Sequence, residues 1–185
     1  VGDVNQQTQL GTTKNWSDIN EQINEKRQVV LDKVYRNTKQ ILEYIRELGY
    51  KVNIARDLKE GDEVIEKVFD NWQQESEYVS QAIDQSSTVG ILAKDKQYLK
   101  QYKEIFKNSK NVHVLSMDEA QGVEFEVVFL VGINKESIIS SNYIIDLQQK
   151  AEKQKIDRDL LYVALTRAIN NLYVLGSDRL SDVLF

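Results

Sequence analysis

The sequence predicts an α/β domain in which a mainly parallel sheet is covered by helices on both faces. Short, continuously apolar runs such as "TVGILAK" and "VVFLVGI" are typical of strands that are buried on both sides. These runs alternate with amphipathic helical segments, as they do when helices connect parallel strands. With 185 residues, of which 41% are hydrophobic, the chain is long and apolar enough for one sizeable core.

The first half of the chain contains two predicted helices and one predicted strand. In "YRNTKQILEYIREL" the apolar residues recur at helical spacing, with Asn37 as a candidate N-cap and Gly49 as the stop. The next segment, "YKVNIA", alternates like a strand. After a run around 64–69, a helix is expected over "NWQQESEYVSQAI".

The second half continues the alternation. "TVGILAK" predicts a strand, "QYLKQYKEIFK" a helix, and "VHVLS" and "VVFLVGI" two further strands separated by a polar turn. Residues 134–155 mix Ser, Asn, Gln and Lys, and we expect them to form an exposed insertion. A helix is predicted over about 156–169, where it gives way to another apolar strand.

The composition excludes several classes of site. A net charge of -5 argues against a broad basic face for nucleic acid, so any such contact must depend on few residues. With no cysteine and one histidine, neither a thiolate site nor a His cluster is possible, and we expect no metal site in this chain. The absence of cysteine fits a reducing cytoplasm, and no run is long enough to span a membrane, so we expect a soluble, cytoplasmic protein. Because the only methionine is Met117, we expect the chain to be part of a longer one.

One arginine lies where an apolar helix meets an apolar strand. On the predicted helix, Arg167 projects from the margin of the buried stripe in "LLYVALTRAINNLYVLG". A cation in the last turn of a helix interacts favourably with the helix dipole, which is one interpretation. The functional alternative is an arginine that neutralises charge on a transferring phosphoryl group.

A second arginine follows an aromatic residue in "VYRNTKQ". Tyr35 and Arg36 lie between a predicted strand and a helix amino terminus, a crossing expected at the carboxyl edge of the sheet. Free amide groups there would favour an anion, with the ring available to a base. Tyr-Arg pairs are also common in loops, so a structural role is the alternative. In a simple parallel repeat, Arg36 and Arg167 would face opposite sheet edges unless helix tilt or an irregular crossover brought them together.

The third candidate is "LSMDEAQGVEFEVVFLVG", a strand, a turn containing Gly122 and another strand. Glu124 places a carboxylate beside the second strand, where it could accept hydrogen bonds from sugar hydroxyls or pair with an arginine. Ser116 could donate to a backbone phosphate. A strand, turn and strand with a glycine can equally be structural.

In this order the three stretches resemble the carboxyl-terminal motifs of superfamily 1 DNA helicases of the UvrD/Rep/PcrA type. "YRNTKQIL" resembles motif IV, "SMDEAQGVEFEVVFLVG" motif V and "DRDLLYVALTRAINNLYVLG" motif VI. "VGDVNQ" at the start of the chain resembles motif III. The form "LLYVALTRA" is closest to the helicase IV or HelD-like branch.

The resemblance implies a motor of two RecA-like domains that bind ATP and Mg²⁺ between them. The phosphate-binding loop GxxxxGK[ST] and the Mg²⁺ ligands belong to the first domain, and the sequence here contains no such loop. It thus implies that residues 1–25 are the tail of the first domain and a linker, and that residues 26–185 are the second, three-layer RecA-like domain. Without the first domain, this chain is expected not to hydrolyse ATP.

The resemblance also implies roles for individual residues. Arg167 would be the arginine finger and Arg36 a second γ-phosphate contact. The other nucleotide contacts would be Gln6, Tyr35, Gly122 and Glu124, with Tyr35 on adenine and Glu124 at the ribose. Single-stranded DNA would contact Ser116, Asp118 and Gln121.

The sequence departs from the family pattern at the DNA site. Motif V usually has His where Asp118 stands and Lys where Gln121 stands, so the expected phosphate affinity falls. This keeps a second class of function open: a motor-derived interaction module that docks on RNA polymerase or a repair complex without separating strands.

Overall fold

The computed structural model describes residues 36–138 and 146–185. The predicted linker at 1–25 therefore lies outside the described residues, as do Gln6 and Tyr35. The helices are α1 (Lys39–Glu47), α2 (Trp72–Ala82), α3 (Leu99–Ile105), α4 (Lys135–Ile138), α5 (Leu147–Leu165) and α6 (Leu180–Leu184). The strands are β1 (Ile65–Val68), β2 (Val89–Ala93), β3 (Val112–Ser116), β4 (Phe125–Ile133) and β5 (Ala168–Gly176).

The five strands form one sheet in the order β1-β5-β4-β2-β3, and all four pairings are parallel. Every residue of β2 is buried, as expected of a strand covered on both faces. The strand β3 lies at an edge of the sheet, and its His113 is exposed there. The predicted α/β class with a mainly parallel sheet is confirmed.

Two cores lie on opposite faces of the sheet, which gives three layers. Alternate residues of β4 point to opposite faces: Val128 and Leu130 pack with α1, α5 and α6, whereas Val127 and Phe129 pack with α2 and α3. The same apolar spacing that predicted α1 buries Ile41, Leu42 and Ile45 in the first of these cores.

The connection from β3 to β4 crosses the sheet without a helix. The strand β2 lies between β3 and β4, so residues 117–124 run from the carboxyl end of β3 back to the amino end of β4. Met117 and Ala120 are buried in the core that also contains α1 and α5. The predicted turn between two strands is therefore a crossover between strands that do not pair.

The strand predicted in "YKVNIA" is wrong. In residues 50–55 the structure has only an isolated bridge, at Asn53. Tyr50, Val52 and Ile54 pack against the core, so the alternation is real but reflects a loop that lies on the domain.

The bounds predicted for the last helix are also wrong. α5 begins at Leu147, inside the expected insertion, because Asp146 accepts hydrogen bonds from the amides of Gln148 and Gln149. It ends at Leu165, so Ala168 belongs to β5 and Arg167 to the link between the two elements. Within the described part of the chain, no helix has the length and apolar character to cross a bilayer.

Candidate functional site

Arg167 lies in a two-residue link at the amino end of β5. The preceding residue, Thr166, is the C-cap of α5, and its hydroxyl donates to the carbonyl oxygens of Tyr162 and Val163, both at 2.9 Å. The carbonyl of Arg167 accepts the amide of Phe125 at 2.9 Å, which fixes the link to the first residue of β4. The main chain of Arg167 is therefore held by both neighbouring elements.

The Arg167 side chain is anchored along its length and remains partly exposed. Nε donates to the Val163 carbonyl at 3.0 Å and Nη1 to the Val123 carbonyl at 3.2 Å. Burial lowers the pKa of the guanidinium, while the charge of Glu124 opposes that shift. Arginine stays protonated in proteins, so this is a fixed cation with unused donors. The anchoring goes beyond the simple helix-end role that the sequence leaves open.

Arg36 and Glu124 form an ion pair next to Arg167. Arg36 Nη1 donates to Glu124 Oε2, with the arginine side chain 72% exposed and the carboxylate 27% exposed. An exposed pair of this kind contributes about 0–1 kcal/mol to stability, so it restrains Arg36 only loosely. Of the two roles that the sequence allows for Glu124, the structure contains the ion pair with an arginine.

The three side chains carry two positive charges and one negative charge at one place. The electrostatic neighbours of Arg167 include both Glu124, which favours its charge, and Arg36, which disfavours it. Guanidinium groups present planar donor pairs that match phosphate oxygens. The arrangement can therefore bind a polyphosphate, with Glu124 balancing the second cation while no ligand is bound.

The expected sheet edge for Arg36 is wrong. Arg36 bonds to Glu124, the residue before β4, so it lies at the amino edge of β4 and β5. The first helical amide of α1 is also taken, because Lys39 N–H donates to the Lys59 carbonyl at 2.9 Å. That amide is not available to an anion, and the two guanidinium groups supply the charge instead.

Asn37 connects Arg36 to the link that carries Arg167. Its side chain is 2% exposed, and Nδ2 donates to the carbonyls of Thr166 at 3.0 Å and Ala168 at 2.5 Å. The predicted N-cap role is wrong, because Thr38 occupies the N-cap of α1. Sequence reasoning missed this contact. Its only local signal is the position of Asn37 directly after Arg36.

The three predicted DNA contacts lie near the other end of the crossover. Ser116 ends β3 and is 0% exposed in this structure, and its expected contact with a DNA backbone stays a prediction. Asp118 and Gln121 are exposed. Lys96, which the sequence analysis missed, bonds to Asp118 at 3.0 Å, and this hydrogen bond raises the pKa of the lysine.

Gly122 lies between these two groups of residues. Its φ is +87°, a backbone conformation that residues with a side chain rarely adopt. This turn directs the Val123 carbonyl to Arg167 and leads the chain to Glu124. Gly122 is exposed, and it shapes the site through the main chain.

No group of three or more acidic or histidine side chains suited to a metal ion occurs in residues 36–138 and 146–185. Gln6 and Tyr35 lie outside the described residues, so their expected nucleotide contacts stay predictions.

Part of the chain matches a known protein family. The sequence model of the UvrD-like helicase C-terminal domain family matches residues 91–178, which include Glu124 and Arg167 but not Arg36. A probable DNA helicase II homolog of Mycoplasma pneumoniae (strain ATCC 29342 / M129) is 39% identical over 79 residues, or 40% of this chain and 10% of that protein. The chain thus spans about a tenth of this curated relative.

A solved structure shows the same fold. The C-terminal domain of a possible DNA helicase from Lactobacillus plantarum WCFS1 aligns with a TM-score of 0.55 and 24% identity, over 82% of this chain and 92% of that one. The narrower assignment to the helicase IV or HelD-like branch stays a prediction. Residues 91–178 thus match the UvrD-like helicase C-terminal domain family, and the chain has the three-layer α/β fold that the resemblance implies.

Proposed function

We propose that this chain is the second motor domain of an ATP-dependent DNA helicase or translocase. One observation carries the proposal: Arg36, Glu124 and Arg167 come from three distant parts of the chain and meet at the amino edge of β4 and β5. Arg167 is the arginine finger in this proposal, and Arg36 is a second contact to the γ-phosphate.

The contacts of Arg167 suit that role. Preorganised positive charge stabilises the charge that develops on a transferring phosphoryl group without reorganisation during the reaction. Anchoring by the Val163 and Val123 carbonyls keeps the guanidinium in place while leaving donors for the ligand. Arg36 is more exposed, and its ion-pair partner among the described residues is Glu124, so it can exchange this carboxylate for a phosphate.

The nucleotide needs a second domain. Bound ATP with Mg²⁺ supplies the phosphoryl group, and we place the Mg²⁺ ligands and the phosphate-binding loop on the first RecA-like domain. The 185 residues contain no GxxxxGK[ST] sequence, so we expect this chain to be inactive alone. In the full-length protein, Glu124 is then free to accept hydrogen bonds from the ribose, and Gly122 keeps the turn that positions it.

We place single-stranded DNA at the opposite, carboxyl edge of the sheet. Asp118 and Gln121 are exposed there, and Lys96 adds a cation beside Asp118. The lysine supplies positive charge close to where the motif usually carries His and Lys. Few phosphate contacts are needed, because stacking and a charged groove suffice for binding single strands.

The test is DNA-stimulated ATP hydrolysis by the full-length protein that contains this chain. Arg167→Ala should lower kcat by about 10³-fold or more, because arginine fingers contribute on that scale. The matched control is Arg158→Ala in α5, the helix that precedes Arg167, where the guanidinium contacts the Leu184 carbonyl and the Phe185 ring instead. We expect that control to keep kcat within about twofold, since this contact lies outside the site.

If Arg167→Ala hydrolyses ATP as fast as the wild type, the arginine-finger assignment fails. If the intact protein also shows no turnover with DNA present, the enzyme proposal fails with it.

The turn at Asp118 favours a second candidate, the interaction module that docks on RNA polymerase or a repair complex. Here Asp118 and Glu119 both pair with Lys96, so the local charge is not basic. In this case ATP turnover would persist without stimulation by single-stranded DNA. Comparing basal and DNA-stimulated rates of the full-length protein separates the two candidates.

A further inference from the structure

We propose that Asn37 is a positioning residue that sets the place of Arg167 relative to Arg36. The inference rests on the proposed function of these two arginines. Asn37 follows Arg36 directly, and its side-chain amide binds the carbonyls on either side of Arg167, those of Thr166 and Ala168. A single side chain thus connects the two guanidinium-bearing segments.

The orientation of the amide follows from its neighbours. Both partners are carbonyl oxygens, which only accept hydrogen bonds, so only the NH₂ end of Asn37 can face them. Each of its two hydrogens serves one carbonyl. A carboxylate of the same shape would place a negative oxygen against two acceptors, and a serine hydroxyl carries only one hydrogen.

The contact is buried, and the residues it joins are far apart in sequence. Asn37 is 2% exposed, and its two partners are 129 and 131 residues away along the chain. The main-chain amide of Arg167 donates a hydrogen bond to the Ala164 carbonyl at 3.2 Å, which fixes the link to α5. Asn37 fixes the same link from the side of Arg36. Without it, the peptide groups on either side of Arg167 lose their hydrogen bonds to the Arg36 segment.

The experiment compares kcat and KM for ATP in the full-length protein with single-stranded DNA. Asn37→Asp should lower kcat by about 10–100-fold, because small misplacements of a catalytic group have effects of that size, while KM changes less than about threefold. The matched control is Asn111→Asp. Asn111 also donates from Nδ2 to two carbonyls, those of Ser87 and Asp84, at the β2–β3 side of the sheet.

The control separates positioning from general destabilisation. Both variants lose a side-chain amide that donates to two carbonyls, but only Asn37→Asp should have a lower kcat. If Asn37→Asp does not fold, Asn37→Ser removes the same amide without adding charge, and its kcat should fall in the same direction. Circular dichroism and thermal melting show that each protein is folded at the assay temperature.

A double variant tests whether Asn37 acts through Arg167. In an Arg167→Ala background, adding Asn37→Asp should lower kcat by less than about threefold further, because the side chain that Asn37 positions is already absent. If the double variant lost kcat by the product of the two single-variant losses, the inference would be overturned. A wild-type kcat in a folded Asn37→Asp or Asn37→Ser protein would overturn it as well. If Arg167→Ala alone costs nothing, the proposed function fails first, and that outcome is distinguishable.

Discussion

The buried carboxylate of Glu75 makes a prediction that is independent of the proposed function. Glu75 lies in α2 with 1% exposure and accepts hydrogen bonds from the hydroxyls of Tyr102 at 2.7 Å and Tyr98 at 2.8 Å. The amide of Gly132, in β4, donates to its other oxygen at 3.2 Å. One side chain therefore joins α2, α3 and β4.

Burial raises the pKa of Glu75, and the hydrogen bonds from Tyr102, Tyr98 and Gly132 oppose that shift. A carboxyl whose pKa is higher in the folded than in the unfolded state favours folding when protonated. Its contribution to stability therefore falls as the pH rises above the ordinary value of 4.5. Removing a donor raises the folded pKa further and steepens this fall.

Tyr102→Phe should therefore destabilise the domain more at high pH than at low pH. At about pH 8 the lost bond is to a charged group and should cost about 1.5–3 kcal/mol. At about pH 4 it is to a neutral carboxyl and should cost about 0.5–1.5 kcal/mol. Tyr102 is fully buried, so solvent does not replace the missing hydroxyl.

Urea denaturation of the 185-residue chain at the two pH values measures the free energies of unfolding. The control is Tyr173→Phe, because the Tyr173 ring stacks on Phe129 with centroids 4.4 Å apart and that contact survives the change. Its cost should stay within about 0.5 kcal/mol at both pH values. An equal cost of Tyr102→Phe at pH 4 and pH 8 would refute the reasoning about Glu75.

Two further predictions concern the sheet and the DNA edge. In Gly176→Ala, the added methyl would lie 2.1 Å from the Ile133 carbonyl oxygen, so the free energy of unfolding should fall by about 1–3 kcal/mol or more. The control is Ser177→Ala at the exposed next residue, which should change the free energy of unfolding little. A melting temperature unchanged by Gly176→Ala would contradict this packing. In the full-length protein, Lys96→Ala should weaken single-stranded DNA binding and reduce its salt dependence by about one counterion. An unchanged salt dependence would show that Lys96 makes its ion pair with Asp118 and does not contact the DNA.

The fold class followed from the sequence because apolar spacing reports which face of an element is buried. That spacing located α1, α2 and α3 and the buried strands β2 and β4. It could not give the order β1-β5-β4-β2-β3, since apolar strands are interchangeable in composition. It also misread residues 50–55, where alternate side chains face the core from a loop that has only an isolated bridge.

The start of α5 was missed for a different reason. Its first half, "LQQKAEKQK", is mostly polar and has no apolar stripe, so periodicity gives no signal there. The helix begins because Asp146 caps two amides, a local signal that was present in the sequence. Polar composition alone was a poor guide to an exposed insertion.

The charged members of the site could be predicted because their residue types and order form a motif. Asn37 could not, because its partners are main-chain carbonyls on the far side of the sequence. A side chain that binds main chain leaves no complementary residue to recognise. The edge of the sheet at which Arg36 lies was equally hidden, since it depends on the packing of α1 beside β5.

The crossover at 117–124 explains how the two edges of the sheet are connected. From the register, Phe125 lies about 20 Å back along the strands from Ser116 and about 10 Å across two strand spacings, a distance of roughly 22 Å. Fully extended, the nine intervening steps reach only about 30 Å. Part of that reach is lost, because the Ala120 amide donates to the Ser116 carbonyl at 3.0 Å and closes a turn.

This segment therefore has little slack. Met117 and Ala120 are buried in the core, which prevents its first half from sliding along the sheet. A shift of Asp118 at the carboxyl edge cannot be absorbed by a loose loop before it reaches Glu124 at the amino edge. In a motor that works as proposed, DNA at one edge and nucleotide at the other would act on the same short piece of main chain, and Gly122 is the residue whose backbone conformation joins the two halves.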